Sequence, residues 1–348
     1  MSQTPYDTVP AKGFWKQAVA EKSLFDIDLD WDPRFRIGQQ TRIATFGSCF
    51  AQHFGKALKR RGMAWLDCEP VNPGLSDDLC HTYGYRTFSA RTGNIYTASL
   101  LRQWTRWAVG RDTPPDEVWE QEGRFFDPFR PRIEPGGFAS AQEVLDMRAV
   151  TQEAFLRAIR TAQVFVFTLG LTESWFHTDG HEYPMCPGTA AGTFDPDHHQ
   201  FKNQRFEDIR TALVQSIHLM RRENPQIKFL ITVSPVPLTA TNSGQHVAVA
   251  TMHSKSILRT VAGDVAETLK GVDYFPSYEI INSPAFRSVF FEPNMRSVNP
   301  RGVDFVMDTF FRALEQKHGL PPAGQAAPPT ADDIACEEAL LASFGDGA

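Results

Sequence analysis

The chain has 348 residues, 42% of them hydrophobic and 22% charged, with a formal net charge of -6. That length can bury a core without disulfides or metals, as one large α/β domain or two smaller ones. The negative balance argues against nucleic acid as the main partner. Cys49, Cys68, Cys80, Cys186 and Cys336 are widely spaced, odd in number and free of any C-x-x-C pair. They give no zinc framework and suit a reducing, cytoplasmic compartment. Residues 1–20 lack an apolar signal core, and no run approaches the ~20 apolar residues of a membrane span.

Residues 1–34 read as an N-terminal extension. A short apolar strand follows at 42–46, then a glycine, Ser48, and a helix over 50–61 with Phe50, Phe54, Ala57 and Leu58 on one face. Further buried strands are expected at 64–68, 164–169, 228–233 and 272–275, each short, apolar and punctuated by Gly or Pro. Helical periodicity falls at 98–109, 152–161, 205–223, 254–269 and 302–316. The alternation predicts a three-layer α/β/α sandwich on a parallel sheet, flavodoxin-like in architecture, over 35–318. Two insertions interrupt it. Residues 111–142 are rich in Pro, aromatics and arginine, and residues 176–203 hold four histidines. Loops of that length are expected to be functional or lid-like. Residues 319–348 form a Pro/Ala linker and an acidic tail, with a short amphipathic helix expected over 331–344 and a peripheral docking role. No internal repeat is visible.

Ligands of parallel sheets sit at the carboxyl ends of the strands, and Ser48 follows one directly. Strand, glycine turn, serine and helix present a hydroxyl where backbone N–H groups at a helix start stabilise a developing oxyanion. Two readings compete at this position. The hydroxyl either attacks substrate or caps the helix by accepting a backbone N–H. Cys49 is a rival nucleophile, since thiols are activated at helix N-termini.

Gly47-Ser48-Cys49-Phe50-Ala51 resembles the name-giving motif of the GSCFA domain family, a branch related to the SGNH/GDSL-type hydrolases. Residues 88–97, 168–175, 234–237 and 254–259 are similar to further family stretches, so the resemblance runs over roughly 35–315. It implies the flavodoxin-like SGNH architecture, with Ser48 as nucleophile and the Cys49 N–H as an oxyanion donor. Gly93 and Asn94 resemble the relatives' glycine block and asparagine donor, though Gly-Asn also favours a simple turn. Thr172 and Glu173 stand where the relatives carry Asn and Asp.

The relatives carry D-x-x-H near the C-terminus, the histidine taking the serine proton and the aspartate orienting it. Here residues 291–300 contain no histidine; Asn294 and Ser297 fall near those positions. A base must then come from a loop at the same sheet edge, and His246 and His199 are the favoured candidates, with Glu173 to orient. His198 and His199 beside Asp195 and Asp197 lack the further spaced ligand that a metal site needs. No metal or other cofactor is expected. Arg130 and Arg132 either clamp a carboxylate or phosphate or pin the insertion to an acidic surface. Lys255 and Arg259 read as structural.

The expected activity is an SGNH-like esterase or O-acyltransferase acting on an acyl ester, acetyl in the relatives and carbohydrate-linked by analogy. Its partner would be a small-molecule or glycan ester. The alternatives are a non-catalytic ligand-binding protein on a degenerate SGNH scaffold and a phosphoester-directed enzyme using Arg130 and Arg132.

Overall fold

The computed structural model describes residues 4–71, 74–321 and 337–344. In chain order these form β1 (Ile43–Gly47), α1 (Ala51–Arg60), α2 (Asp77–Thr82), α3 (Ala98–Ala108), β2 (Trp119–Gln121), β3 (Arg124–Phe126), α4 (Ala141–Thr161) and β4 (Val164–Leu169). They continue with β5 (Glu173–His177), β6 (Glu182–Tyr183), β7 (His199–Asn203), α5 (Phe206–Glu223), β8 (Lys228–Val233), α6 (Val247–Thr268), β9 (Val272–Tyr274), α7 (Ser277–Asn282) and α8 (Pro300–His318). Among the described residues no helix is long and apolar enough to cross a membrane.

Four parallel strands lie in the order β1-β4-β8-β9. Alternate residues along each strand point to opposite faces, and the two faces feed two separate cores. Phe46, Phe165, Phe167, Phe229 and Ile231 pack against α3, α4, α5 and α6. Ile43, Val164, Val166 and Leu230 pack against α1, α7 and α8. A sheet buried on both sides by helices is the three-layer α/β/α sandwich expected from the sequence. The N-terminal segment joins the second core, with Ile27 and Ile37 buried and Trp31 stacked on Phe310 at 5.4 Å between ring centres.

The stretch read as a strand at 64–68 makes only a single parallel bridge, Trp65 beside Ile43. The Ile43 N–H bonds the Ala64 carbonyl at 2.9 Å, and the Leu66 N–H bonds the Ile43 carbonyl at 2.8 Å. Beyond Leu66 the Cys68 N–H turns to the Ser89 carbonyl instead, at 2.8 Å, so the pairing stops. Counting this fragment, β1 has chain on one flank that follows it in sequence directly and, on the other, β4. That reversal of direction is a topological switch point, the crevice where open α/β sheets bind ligands.

Both insertions carry antiparallel structure. Residues 111–142 fold as the β2–β3 hairpin. Residues 176–203, with the three residues before them, form a three-stranded sheet in the order β6-β5-β7. Two helices start earlier than their periodicity suggests. α4 begins at Ala141, where the Ser140 hydroxyl accepts the Glu143 N–H at 3.2 Å and the Glu143 carboxylate accepts the Ala139 N–H at 2.8 Å. α6 begins at Val247, its first turn capped by the His246 ring. The amphipathic helix expected over 331–344 lies outside the described residues up to 336; Glu337–Phe344 is a 3-10 helix.

Candidate active site

At the end of β1 the chain must turn within a very small space. Gly47 sits at φ +135°, and a Cβ there would come within 2.5 Å of the Thr168 carbonyl oxygen. Only glycine satisfies both demands. The Ser48 N–H continues the ladder to the Thr168 carbonyl at 3.0 Å, and the Ser48 carbonyl accepts the Ala51 N–H at 2.8 Å to start the helical turn. The N-cap of α1 is Phe50, with no side-chain cap. Ser48 is 1% exposed, and its hydroxyl finds no hydrogen-bond partner among the described residues. The capping reading therefore fails, because this oxygen accepts no backbone N–H. The neighbouring Thr168 hydroxyl is equally buried and unpartnered. A buried hydroxyl without a partner costs about 1–3 kcal/mol, so two at the adjoining ends of β1 and β4 mark a place where bonding capacity is held in reserve.

Two loops close on this hydroxyl. The Ile95 N–H bonds the Gly47 carbonyl at 2.8 Å, which draws Gly93 and Asn94 alongside the serine turn. Asn94 is 3% exposed, and its Oδ1 accepts from Gln52 Nε2 at 3.2 Å, one helical turn beyond Ser48. From the other side, Gly170 follows the end of β4, and a Cβ there would lie 2.7 Å from the Ser48 Cβ. The Gly170 and Leu171 N–H groups both bond the Tyr96 carbonyl, at 2.8 and 3.0 Å. The Gly170 carbonyl accepts from Lys255 Nζ at 2.7 Å, and that lysine is 2% exposed. Cys49 is buried as well.

Thr172 and Glu173 lie just past this turn and are engaged with other partners. The Thr172 hydroxyl donates to Asn203 Oδ1 at 2.7 Å, and its N–H donates to the Ser254 hydroxyl at 3.3 Å. The Glu173 carboxylate accepts from the Thr241 hydroxyl and, at 3.3 Å, from the Asn242 N–H. Burial pushes the Glu173 carboxyl up, against the pull of those two hydrogen bonds.

The histidines proposed as bases are not bonded to Ser48. His246 is exposed, and its Nδ1 accepts the Ala248 N–H at 3.2 Å as the cap of α6. His199 belongs to the inserted sheet, its Nδ1 accepting the Asp195 N–H at 3.0 Å and its ring packed edge-on to Tyr183. Burial pushes the His199 imidazole down, toward its neutral form. Around it the rings of His198, His177 and His181 form a ladder, with stacked centroid spacings of 5.4 and 4.6 Å. Among the described residues no group of three His, Cys, Asp or Glu is placed to hold a metal ion.

Arg130 and Arg132 do not converge either. Arg130 is wholly buried against Asp127, Nε to Oδ2 at 2.7 Å, while Arg132 is exposed. Arg148 holds the other oxygen of Asp127 at 2.9 Å. Burial alone would push the Asp127 carboxyl up, but the two guanidinium charges outweigh it and hold it below the usual carboxylate range. Of the two readings for Arg130, pinning the insertion is the one its contacts express.

Three residues at or beside the site escaped the sequence reading. Gln52 sits four residues after Ser48, a helical spacing that was available as a signal. Lys255 reads from the sequence as structural, one turn from Arg259 at a helix start, and the structure instead puts its Nζ on the Gly170 turn. Arg296 lies in the turn between Asn294 and Ser297, where the Asn294 side chain accepts the Arg296 and Ser297 N–H groups at 3.0 and 2.9 Å. Nothing in its spacing distinguishes it from a surface arginine.

The sheet defines a parallel α/β protein with a buried serine hydroxyl, unpartnered among the described residues, at the carboxyl end of β1. The GSCFA family profile matches residues 42–310, and the chain belongs to the GSCFA family. No curated protein matches the sequence.

Proposed function

We propose that this chain is an SGNH-like serine esterase or O-acyltransferase. The observation that carries the reading is the Ser48 hydroxyl: buried, unpartnered, and fixed at the switch point between β1 and β4. In the reaction Ser48 Oγ attacks the acyl carbon of an ester and its proton passes to a base. The carbonyl electrons move to oxygen, where the backbone N–H at Cys49 and the Asn94 amide are the donors on this reading. The C–O bond to the alcohol then breaks, and the leaving oxygen takes the proton. Water or an acceptor hydroxyl, a sugar in the carbohydrate version, attacks the acyl-serine and regenerates Ser48.

On this reading the proton acceptor is Lys255, whose Nζ donates to the carbonyl of the Gly170 turn packed on Ser48 and, like the histidines, makes no hydrogen bond to Ser48 Oγ in the resting protein. Lysines taken out of water serve as general bases in other enzymes. His246 and His199 are occupied by capping and by the inserted sheet. An activated acetyl ester supplies the test. Turnover is expected from the native chain and is lost in Ser48→Ala, while Lys255→Met shifts the pH profile rather than only lowering the rate. Adding a sugar acceptor separates the two fates of the acyl group: acetyl-sugar product means transfer, acetate alone means hydrolysis. Equal turnover by native and Ser48→Ala protein would sink the proposal.

A second reading is favoured by one specific observation, that no side chain among the described residues hydrogen-bonds Ser48 Oγ. A ligand-binding protein on the same scaffold would need none. The phosphoester reading has no such support, since Arg130 is committed to Asp127.

A further inference from the structure

The last described segment, Glu337–Phe344, is not peripheral. Glu338 is 8% exposed. Its Oε1 accepts the Thr239 N–H at 2.7 Å, its Oε2 lies 3.5 Å from Arg296 Nη2, and its own N–H reaches the Tyr96 hydroxyl at 3.4 Å. Tyr96 is the residue whose carbonyl holds the Gly170–Leu171 turn against Ser48. The segment therefore rests on the wall of the site just described.

The Arg296 guanidinium is the telling partner. Its Nε and Nη2 are buried, yet neither makes a hydrogen bond among the described residues. A guanidinium is built to grip a carboxylate with two parallel N–H bonds, and a buried charge left under-bonded is costly. Here the Glu338 carboxylate gives it an ionic contact and spends its better hydrogen bond on Thr239. Next to this niche lies a mostly apolar cavity of about 250 Å³, bounded by Leu171, Trp175, Met185, Phe201 and Leu238. That is room for about eight water-sized groups. Leu341 and Phe344 of the same segment border the cavity, but Phe344 remains 64% exposed. The segment thus touches both parts of the cleft and fills neither.

We propose that this cleft is a binding site for an amphipathic carboxylate, an acid group on Arg296 and Thr239 with an apolar arm in the cavity, and that residues 338–344 are its built-in competitor. The tail reproduces the ligand's layout: one carboxylate, then apolar side chains three and six residues on. Glu173 is the other carboxyl bordering the cavity. Its own bonds to Thr241 and Asn242 tie it to the far side, and burial favours its neutral form. The ligand class is also the acid half of a medium-chain ester, so the site deepens the esterase reading while resting on contacts that do not involve Ser48.

The experiment is calorimetric titration of full-length protein with octanoate and with octanamide, in a Ser48→Ala background. Substituting Glu338→Gln, Leu341→Ala and Phe344→Ala together is expected to tighten octanoate binding at least tenfold. Octanamide, the same arm without the charge, is expected to bind at least tenfold more weakly than octanoate, and Arg296→Gln is expected to erase that difference. No tightening on freeing the cleft, or equal binding of octanoate and octanamide with Arg296 present, overturns the proposal. The octanamide comparison needs no change at Arg296, so a misfolded Arg296 variant does not blunt the test. Because Ser48 is already absent, failure of the serine chemistry and failure of this site are read separately.

Discussion

Two polar clusters in this molecule are oppositely wired. In the first insertion Asp127 is enclosed by Arg130, Arg148 and the Phe129 N–H, and Arg130 reaches on to the Thr151 hydroxyl, which donates to Glu69. Of that arginine's nitrogens only Nη2 lacks a partner among the described residues. By contrast, the Ser48 and Thr168 hydroxyls at the switch point, and two nitrogens of Arg296 beside Glu338, make no hydrogen bond among the described residues. A cluster that spends its bonding capacity on itself holds the fold. A cluster that withholds it is arranged for something that arrives from outside.

The comparison breaks first on stability. Asp127→Ala strands two buried guanidinium groups and is expected to cost about 3–5 kcal/mol in urea unfolding. A loss under 1 kcal/mol would remove the distinction. Gly170→Ala drives a methyl into the Ser48 Cβ, and overpacking of this kind costs about 1–3 kcal/mol. Its expected signature is loss of Ser48 reactivity in a protein that still folds. Ser48→Ala removes an unbonded hydroxyl and is expected to leave the melting temperature unchanged or slightly raised. Arg132→Ala, on the surface, is expected to stay within about 0.5 kcal/mol of native.

Acid titration sharpens the same contrast. The folded pKa of Asp127 lies below its ordinary value of 3.8. Its stabilisation is present above that value and is lost as the pH falls from 3.8 toward the depressed folded value. Glu182 behaves oppositely. It is fully buried, and burial raises its pKa from 4.5 despite bonds from the Ser174, Ser99 and Thr97 hydroxyls. The folded state then holds this proton more tightly than the unfolded state, so stability falls as the pH climbs from 4.5 through the raised folded value. Glu182→Gln is expected to raise the melting temperature at pH 7 and to have no effect below pH ~4. A melting difference that persisted at low pH would show that shape, not charge, set the effect.

How much of this was legible in the sequence follows from the range of the forces involved. The expected bounds of β4 and β8 match the structure, because a parallel strand buried on both faces is a short, nearly continuous apolar run that needs no partner to be recognised. The strand expected at 64–68 is also short and largely apolar but carries Asp67, and its pairing is lost to Ser89, a contact 21 residues from Cys68. Periodicity alone places the start of α4 at 152, eleven residues late, although Ser140 and Glu143 stand at capping-box spacing. Ser48 is singled out by its strand–glycine–serine–helix context and Asn94 by the resemblance alone, and what brings the two loops together is a long-range bond, Ile95 N–H to the Gly47 carbonyl. Lys255 and Arg296 were not legible, because their place beside the site depends on α6 and on the turn before α8 docking against residues far off in the chain. The tail read as peripheral for the same reason: nothing near Glu338 in sequence announces Thr239 or Arg296.

The central claim is that Ser48 is a reactive nucleophile, and weighing the intact protein after exposure to a fluorophosphonate tests it most directly. The account predicts a single covalent adduct on the native chain, absent from Ser48→Ala protein that melts at the same temperature. An unmodified native chain, or an adduct that persists in Ser48→Ala, would contradict it.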